Sequence, residues 1–247
     1  MWRYDETNWQ YEEGFQTHSY QITFEEIMSQ STIEEQKKRP ERLSLVKIFE
    51  DKERTHLFDI CRLFHKNDEY FYFDKNKRFH STLLGFPVVE PESYDAITEK
   101  ISQYCEEAHG EMNVKFDLVR LGTKYENNNI LKPVSGVSNG TIIAYGDYLR
   151  NGRFTTFGNR LTSFLLDNAD LNTILGKKFR RRFPTVWCTM GHYATDFKVT
   201  SELEMIFNEL LNLDSEFFDI PCHELELGKS CYKDLRDWKP IEKFNIF

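Results

Sequence analysis

The sequence predicts an α+β fold built from two similar halves. Short apolar segments with strand-like alternation are interleaved with segments of helical spacing. A strand-plus-helix unit recurs faintly, once around Thr82 and once around Thr189. The 247 residues, 40% of them hydrophobic, are enough for one α/β domain with a substantial core, two small domains being the alternative.

The elements follow in order. Residues 1–42 are polar, acidic and aromatic and read as an N-terminal extension with a short helix over 24–30, leaving 43–247 as the folded domain. Residues 43–49 alternate as a strand, and 52–64 place Leu57, Phe58, Ile60, Cys61 and Phe64 at helical spacing. Strands over 69–73 and 78–86 flank the turn-like segment 74–77. A helix over 91–108 has Pro91 in its first turn and a buried stripe of Ile97, Ile101, Tyr104 and Cys105. One strand is predicted over 114–121, loop over 127–140, a strand over 141–145 and a helix over 157–166. A basic link, 176–184, leads into a strand over 185–193. Ser201 with Glu204 marks a helix start running to about residue 211. Strands over 217–227 and 241–247 close the chain.

Composition narrows the classes of function. A net charge of −8 argues against dense, non-specific coating of nucleic acid but allows a local basic groove. The five cysteines form no CxxC pair and are odd in number, so reduced thiols in a cytoplasmic protein are the expectation. Neither a signal-like N-terminus nor an apolar run long enough to cross a membrane is present in the sequence, so no membrane partner is expected. The histidines and cysteines show no zinc-type spacing, and no Walker or dinucleotide glycine pattern occurs. No metal and no cofactor are therefore expected.

The chemistry-bearing residues sit on the two recurring strands. Aligning Phe79-His80-Ser81-Thr82-Leu83-Leu84-Gly85 with Val186-Trp187-Cys188-Thr189-Met190-Gly191 on their threonines sets His80 against Trp187. Successive strand residues alternate faces, so His80 and Thr82 share one, as do Trp187 and Thr189. An imidazole that exchanges protons and a hydroxyl that donates a hydrogen bond can grip one phosphate together. Cys188 belongs to the opposite face and is discounted as a nucleophile.

The segment Phe79-His80-Ser81-Thr82-Leu83-Leu84-Gly85-Phe86-Pro87, followed by an acidic helix, resembles the first signature of the 2H phosphoesterases. The closing segments Leu225-Glu226-Leu227, Tyr232-Lys233-Asp234-Leu235 and Lys243-Phe244-Asn245-Ile246 are similar to the last strands of such proteins. The resemblance covers 43–247. It implies a bilobal, pseudo-symmetric α+β fold, with two antiparallel-rich sheets facing a central cleft and helices outside. It also implies metal-independent acid/base chemistry on a phosphodiester, a cyclic nucleotide or an RNA end. One imidazole would act as base, a second as acid, and two hydroxyls would hold the phosphoryl oxygens.

Three of the four motif positions match: His80, Thr82 and Thr189. The fourth is Trp187, whose indole N–H only donates. His192 is a substitute on one condition. In a regular strand it faces away from Thr189, and only a bulge near Gly191 would invert that; otherwise it is a solvated residue at the strand end. Trp187 is expected as a core aromatic or a base-stacking platform, Tyr232 as a residue lining the groove or packing, and Arg182 as a substrate contact. Arg182 belongs to the run 177–182, five cations in six residues, which is either a solvated face or an RNA contact. The sequence therefore leaves three readings open: a phosphodiesterase centred on His80, a non-catalytic nucleotide- or RNA-binding module that lost its second histidine, and a plain scaffold whose His-x-Thr match is accidental. Oligomeric state is not legible.

Overall fold

The computed structural model describes residues 40–50, 53–54, 57, 61, 71–72, 78–108, 112–115, 118–121, 141–146, 153–176, 179, 186–193, 219–232 and 235–246. The extension before residue 40, the expected helix over 201–211 and most of the basic run, Arg182 included, lie outside them.

The fold is α+β. Its strands are β1 (Arg42–Ile48), β2 (Phe71–Tyr72), β3 (His80–Gly85), β4 (Asn113–Lys115), β5 (Leu118–Leu121), β6 (Thr141–Gly146), β7 (Val186–Tyr193), β8 (Asp219–Pro221), β9 (Glu224–Ser230) and β10 (Lys239–Asn245). Two four-stranded sheets have the orders β10-β9-β1-β3 and β2-β7-β6-β5, and β4 pairs with β8; each pairing is antiparallel. The helices are α1 (Tyr94–Glu107), entered through a 3-10 turn at Pro91–Ser93, α2 (Arg153–Asp167) and α3 (Ala169–Leu175).

Apolar spacing explains α1, which buries Ile97, Ile101 and Cys105 in the core. Tyr104 is only partly buried. Its ring packs edge-on against Phe157 at 5.1 Å and tilted against Phe164 at 5.3 Å, tying α1 to α2. Residues 53, 54, 57 and 61 are helical, as their spacing predicts.

Four elements differ from expectation. The strand predicted over 217–227 is two strands: β8, which pairs with β4, and β9, which belongs to the first sheet. The strand predicted over 114–121 is two strands in different sheets, β4 and β5. Helix α2 begins at Arg153, four residues before its predicted start, because Phe154, Thr155 and Gly158 already face the core. Helix α3 was not predicted. Asn168 starts it by accepting a hydrogen bond from the Leu171 N–H at 3.0 Å, and Gly176, at φ 69°, ends it in a conformation glycine adopts without steric cost.

One apolar core joins both sheets. Leu43, Leu45, Leu83 and Leu84 of the first pack in the same cluster as Val186, Cys188 and Met190 of the second. Strand β3 lies against β7, so the edge of one sheet meets the other sheet over this shared core.

Candidate functional site on strands β3 and β7

His80 opens β3, half-buried, and its Nδ1 lies 2.8 Å from the Arg78 carbonyl oxygen. A carbonyl oxygen only accepts, so Nδ1 carries the proton and donates it. That puts the neutral ring's lone pair on Nε2, the state a general base requires. Thr82, also half-buried, follows at the same-face position two residues on.

Register on β1 fixes which face this is. His80 pairs with Ile48 and Thr82 with Val46, then the ladder slips and Leu84 pairs with Leu45. Leu83 is therefore an extra residue, a bulge directly after Thr82. Its signature is that consecutive Leu83 and Leu84 are both only 2% exposed.

Strand β7 has the same construction. Trp187 pairs with Tyr145, Cys188 with Ala144 and Thr189 with Ile143, then the ladder slips and Gly191 pairs with Ile142 and His192 with Thr141. Met190 is the extra residue, a bulge directly after Thr189. Residues 141, 143 and 145 alternate regularly on β6, and cross-strand partners share a face. Positions 187, 189 and 192 therefore belong to one face of the sheet. The expectation that position 192 opposes Thr189 holds only for a regular strand, and β7 is not one. Val186, Cys188, Met190 and Gly191 are buried on the other side, and the Cys61 Sγ–H donates to the Met190 carbonyl at 3.4 Å.

Both strands turn their other face to the same core, and they touch. The His80/Thr82 face and the Thr189 face are thus both directed away from that core.

A second, smaller apolar cluster covers part of the first sheet on the His80 side. It consists of Val46, Ile48, Leu235 and Trp238. Trp238 Nε1–H donates to Glu226 Oε2 at 2.9 Å, and Lys243 Nζ lies 3.0 Å from Glu226 Oε1, so the buried carboxylate is paired. Hydrogen bonding and attraction from Glu224 and Glu226 raise the Lys243 pKa. Tyr232, a residue predicted to line the groove, is half-buried in the loop that carries Leu235 and Trp238. Sequence reasoning missed Trp238 and Arg236 in this loop, because nothing in their spacing announces them.

The five cysteines are all buried and unbridged. Burial pushes the Cys105 and Cys222 thiols up to about 12, so they are poor nucleophiles. Among the described residues, no group of three His, Cys, Asp or Glu is placed to hold a metal ion, and no helix is long and apolar enough to cross a membrane.

Neither a protein-family model nor a curated protein matches the chain. Among solved structures it is similar to Escherichia coli LigT in its apo form, at 12% identity and a TM-score of 0.49, over 83% of this chain and 97% of that one. It is also similar to a protein described as a phosphoesterase, at 11% identity and a TM-score of 0.46, over 84% of this chain and 99% of that one. A third likeness is to Kluyveromyces marxianus Usb1, at 11% identity and a TM-score of 0.45, over 83% of this chain and 97% of that one.

Proposed function

We propose that this chain is a 2H-phosphoesterase-like protein that opens a cyclic phosphate or cleaves a short phosphodiester by metal-independent acid/base chemistry. The observation that carries the reading is the matched pair of strands. Each has a threonine followed at once by a bulge, and they lie side by side with their threonine faces turned from one core.

The chemistry follows from the residues. His80, with its lone pair on Nε2, removes a proton from the attacking water as the water oxygen bonds to phosphorus. Thr82 and Thr189 donate hydrogen bonds to the non-bridging oxygens, where charge grows in the transition state. The bond from phosphorus to the leaving ribose oxygen breaks, and protonated His192 gives that oxygen its proton. A cyclic phosphate thus becomes a monoester, with one water consumed and one proton passed from His192 to the product while His80 gains one.

His192 takes the second role because Trp187 holds the position where the paired histidine is expected, and indole cannot exchange a proton. The Met190 bulge supports this assignment, since it returns position 192 to the face of Thr189. Arg182 and its basic neighbours would draw the polyanion in. Phe179, in the middle of that run, is buried and stacks on Phe86 at 5.1 Å, just beyond the end of β3.

The test is hydrolysis of 2′,3′-cyclic nucleotides in the presence of a chelator, by the wild type, His80→Ala and His192→Ala. Turnover that falls in both variants with folding intact is the expected result. Turnover unchanged by His192→Ala sinks the two-histidine scheme. A wild type that binds short RNA ends through Thr82 without turnover replaces the enzyme with a binding module.

A further inference from the structure

The loop joining β9 to β10 is built in more detail than a connector needs. Two of its residues, Leu235 and Trp238, form the small buried cluster with Val46 and Ile48. Those are the cross-strand partners of Thr82 and His80, so the loop is seated on the face that carries both, one strand away.

Its shape is held from within. The Cys231 N–H donates to Asp237 Oδ2 at 3.0 Å, and the Tyr232 N–H donates to Ser230 Oγ at 2.9 Å. Ser230 Oγ in turn bonds Asp237 Oδ1. The Leu235 N–H reaches the Tyr232 carbonyl at 3.4 Å and the Trp238 N–H reaches the Leu235 carbonyl at 3.0 Å. Leu235 itself sits at φ 57°, the left-handed region that is strained for a residue with a Cβ. It is the only non-glycine residue at positive φ among those described. The surrounding bonds and the buried cluster hold it there.

What this frame presents is an arginine on an aromatic ring. The Arg236 guanidinium carbon lies 5.1 Å from the Tyr232 ring centroid, and both residues are half-buried. A stacked guanidinium loses little freedom when it binds, and its planar fork of donors suits a phosphate. In a chain of net charge −8, a cation carried by the loop seated on the face of His80 and Thr82 is a specific feature.

We propose that Arg236 is a substrate-binding residue for a second phosphate, one beyond the phosphodiester under attack, and that Tyr232 positions it. This rests on the phosphodiester reading above and extends it: the preferred substrate is a nucleotide chain bearing at least two phosphates, not a cyclic mononucleotide. Tyr232 then acts through Arg236 and not by stacking on a base.

The experiment compares a dinucleotide ending in a 2′,3′-cyclic phosphate with the cyclic mononucleotide, on full-length wild type, Arg236→Gln, Arg236→Lys, Tyr232→Phe and Tyr232→Leu. Arg236→Gln raises KM for the dinucleotide about tenfold and leaves kcat within about twofold, while the mononucleotide is unaffected. The salt dependence of dinucleotide affinity falls by about 0.7 in log–log slope, the value of one single-strand phosphate contact. Arg236→Lys restores that slope. Tyr232→Phe keeps the ring and behaves as wild type, whereas Tyr232→Leu follows Arg236→Gln. Circular dichroism and melting confirm each fold.

If the wild type turns over neither substrate, anisotropy with a labelled, uncleavable dinucleotide makes the same comparison. Binding whose salt slope depends on Arg236 then upholds this inference and sinks the catalytic reading. An Arg236→Gln variant that folds and matches the wild type in dinucleotide KM or affinity and in salt slope overturns the inference, as does a wild type that binds no dinucleotide.

Discussion

Strands β3 and β7 solve one backbone problem twice and carry their histidines differently. Each places a threonine on the face away from the core, then inserts one residue, Leu83 or Met190, so that the next buried residue keeps its place in the core. The insertion also brings position +3 from the threonine back to the threonine's own face. On β3 that position is Gly85, and the histidine stands two residues before the threonine. On β7 the −2 position holds Trp187, and the histidine stands at +3. A bulge thus leaves a strand two positions on the face of the same hydroxyl, and the histidines of β3 and β7 occupy different ones.

The largest effect expected from breaking the comparison is at His80. His80→Ala should lower turnover of the cyclic phosphate by about 10²- to 10⁴-fold without altering the fold, as steady-state kinetics and a thermal melt would establish. His192→Ala should cost a similar factor. Adding Trp187→His to that variant should recover part of the loss, because position 187 shares the face of Thr189. A double variant no better than His192→Ala would mean the two seats are not equivalent.

Smaller effects concern the frame. Met190→Ala should destabilise the protein by about 2–5 kcal/mol in denaturant titration, since Met190 is fully buried. The two glycines on the His80 side of the first sheet should respond in opposite ways. A Cβ at Gly228 would lie 2.5 Å from Trp238 Cζ2 and 2.7 Å from the Lys239 carbonyl oxygen, so Gly228→Ala should cost about 1–3 kcal/mol and loosen the Tyr232 loop. A Cβ at Gly85 meets nothing within 4 Å, so Gly85→Ala should stabilise slightly, by about 0.5–1 kcal/mol.

The smallest effect is on acid stability. Burial alone would raise the Asp237 pKa, but hydrogen bonds from Ser230 Oγ–H and the Cys231 N–H outweigh it and hold the carboxyl below its ordinary 3.8. A depressed folded-state pKa contributes stability above the unfolded value, and that stability is lost as pH falls through the folded one. Acid melts between pH 5 and about 2 should therefore show a loss that Asp237→Asn does not share, while an identical acid dependence in both proteins would assign no such role to Asp237.

Much of the fold was legible because it is written in local periodicity. The alternation at 43–49 and 185–193, and the stripe Ile97, Ile101, Cys105, each describe a face buried against one core. The division of 114–121 between two sheets was not legible, since no local signal says that a strand changes partners. Helix α3 spans too few residues for a period to show, although Asn168 and Gly176 mark its ends. At the site, His80 and Thr82 could be read as a pair from spacing alone. The parity of position 192 could not, because it depends on how β7 is registered against Ile142 and Ile143 of another strand. The stacking of Arg236 on Tyr232 depends on the left-handed turn at Leu235, which no leucine advertises.

The thiol of Cys61 has a use that its packing makes available. It is fully buried, and it donates its hydrogen to the carbonyl of Met190, the inserted residue of β7. A thiol-labelling reagent can reach it only after that neighbourhood opens, so the alkylation rate of Cys61 is a clock for local opening at the bulge. Cys105 and Cys222, buried elsewhere in surroundings that push their thiols up to about 12, supply reference clocks in the same molecule. A ligand that bridges β3 and β7 would slow the first clock more than the other two, giving a readout of ligand occupancy that needs no turnover.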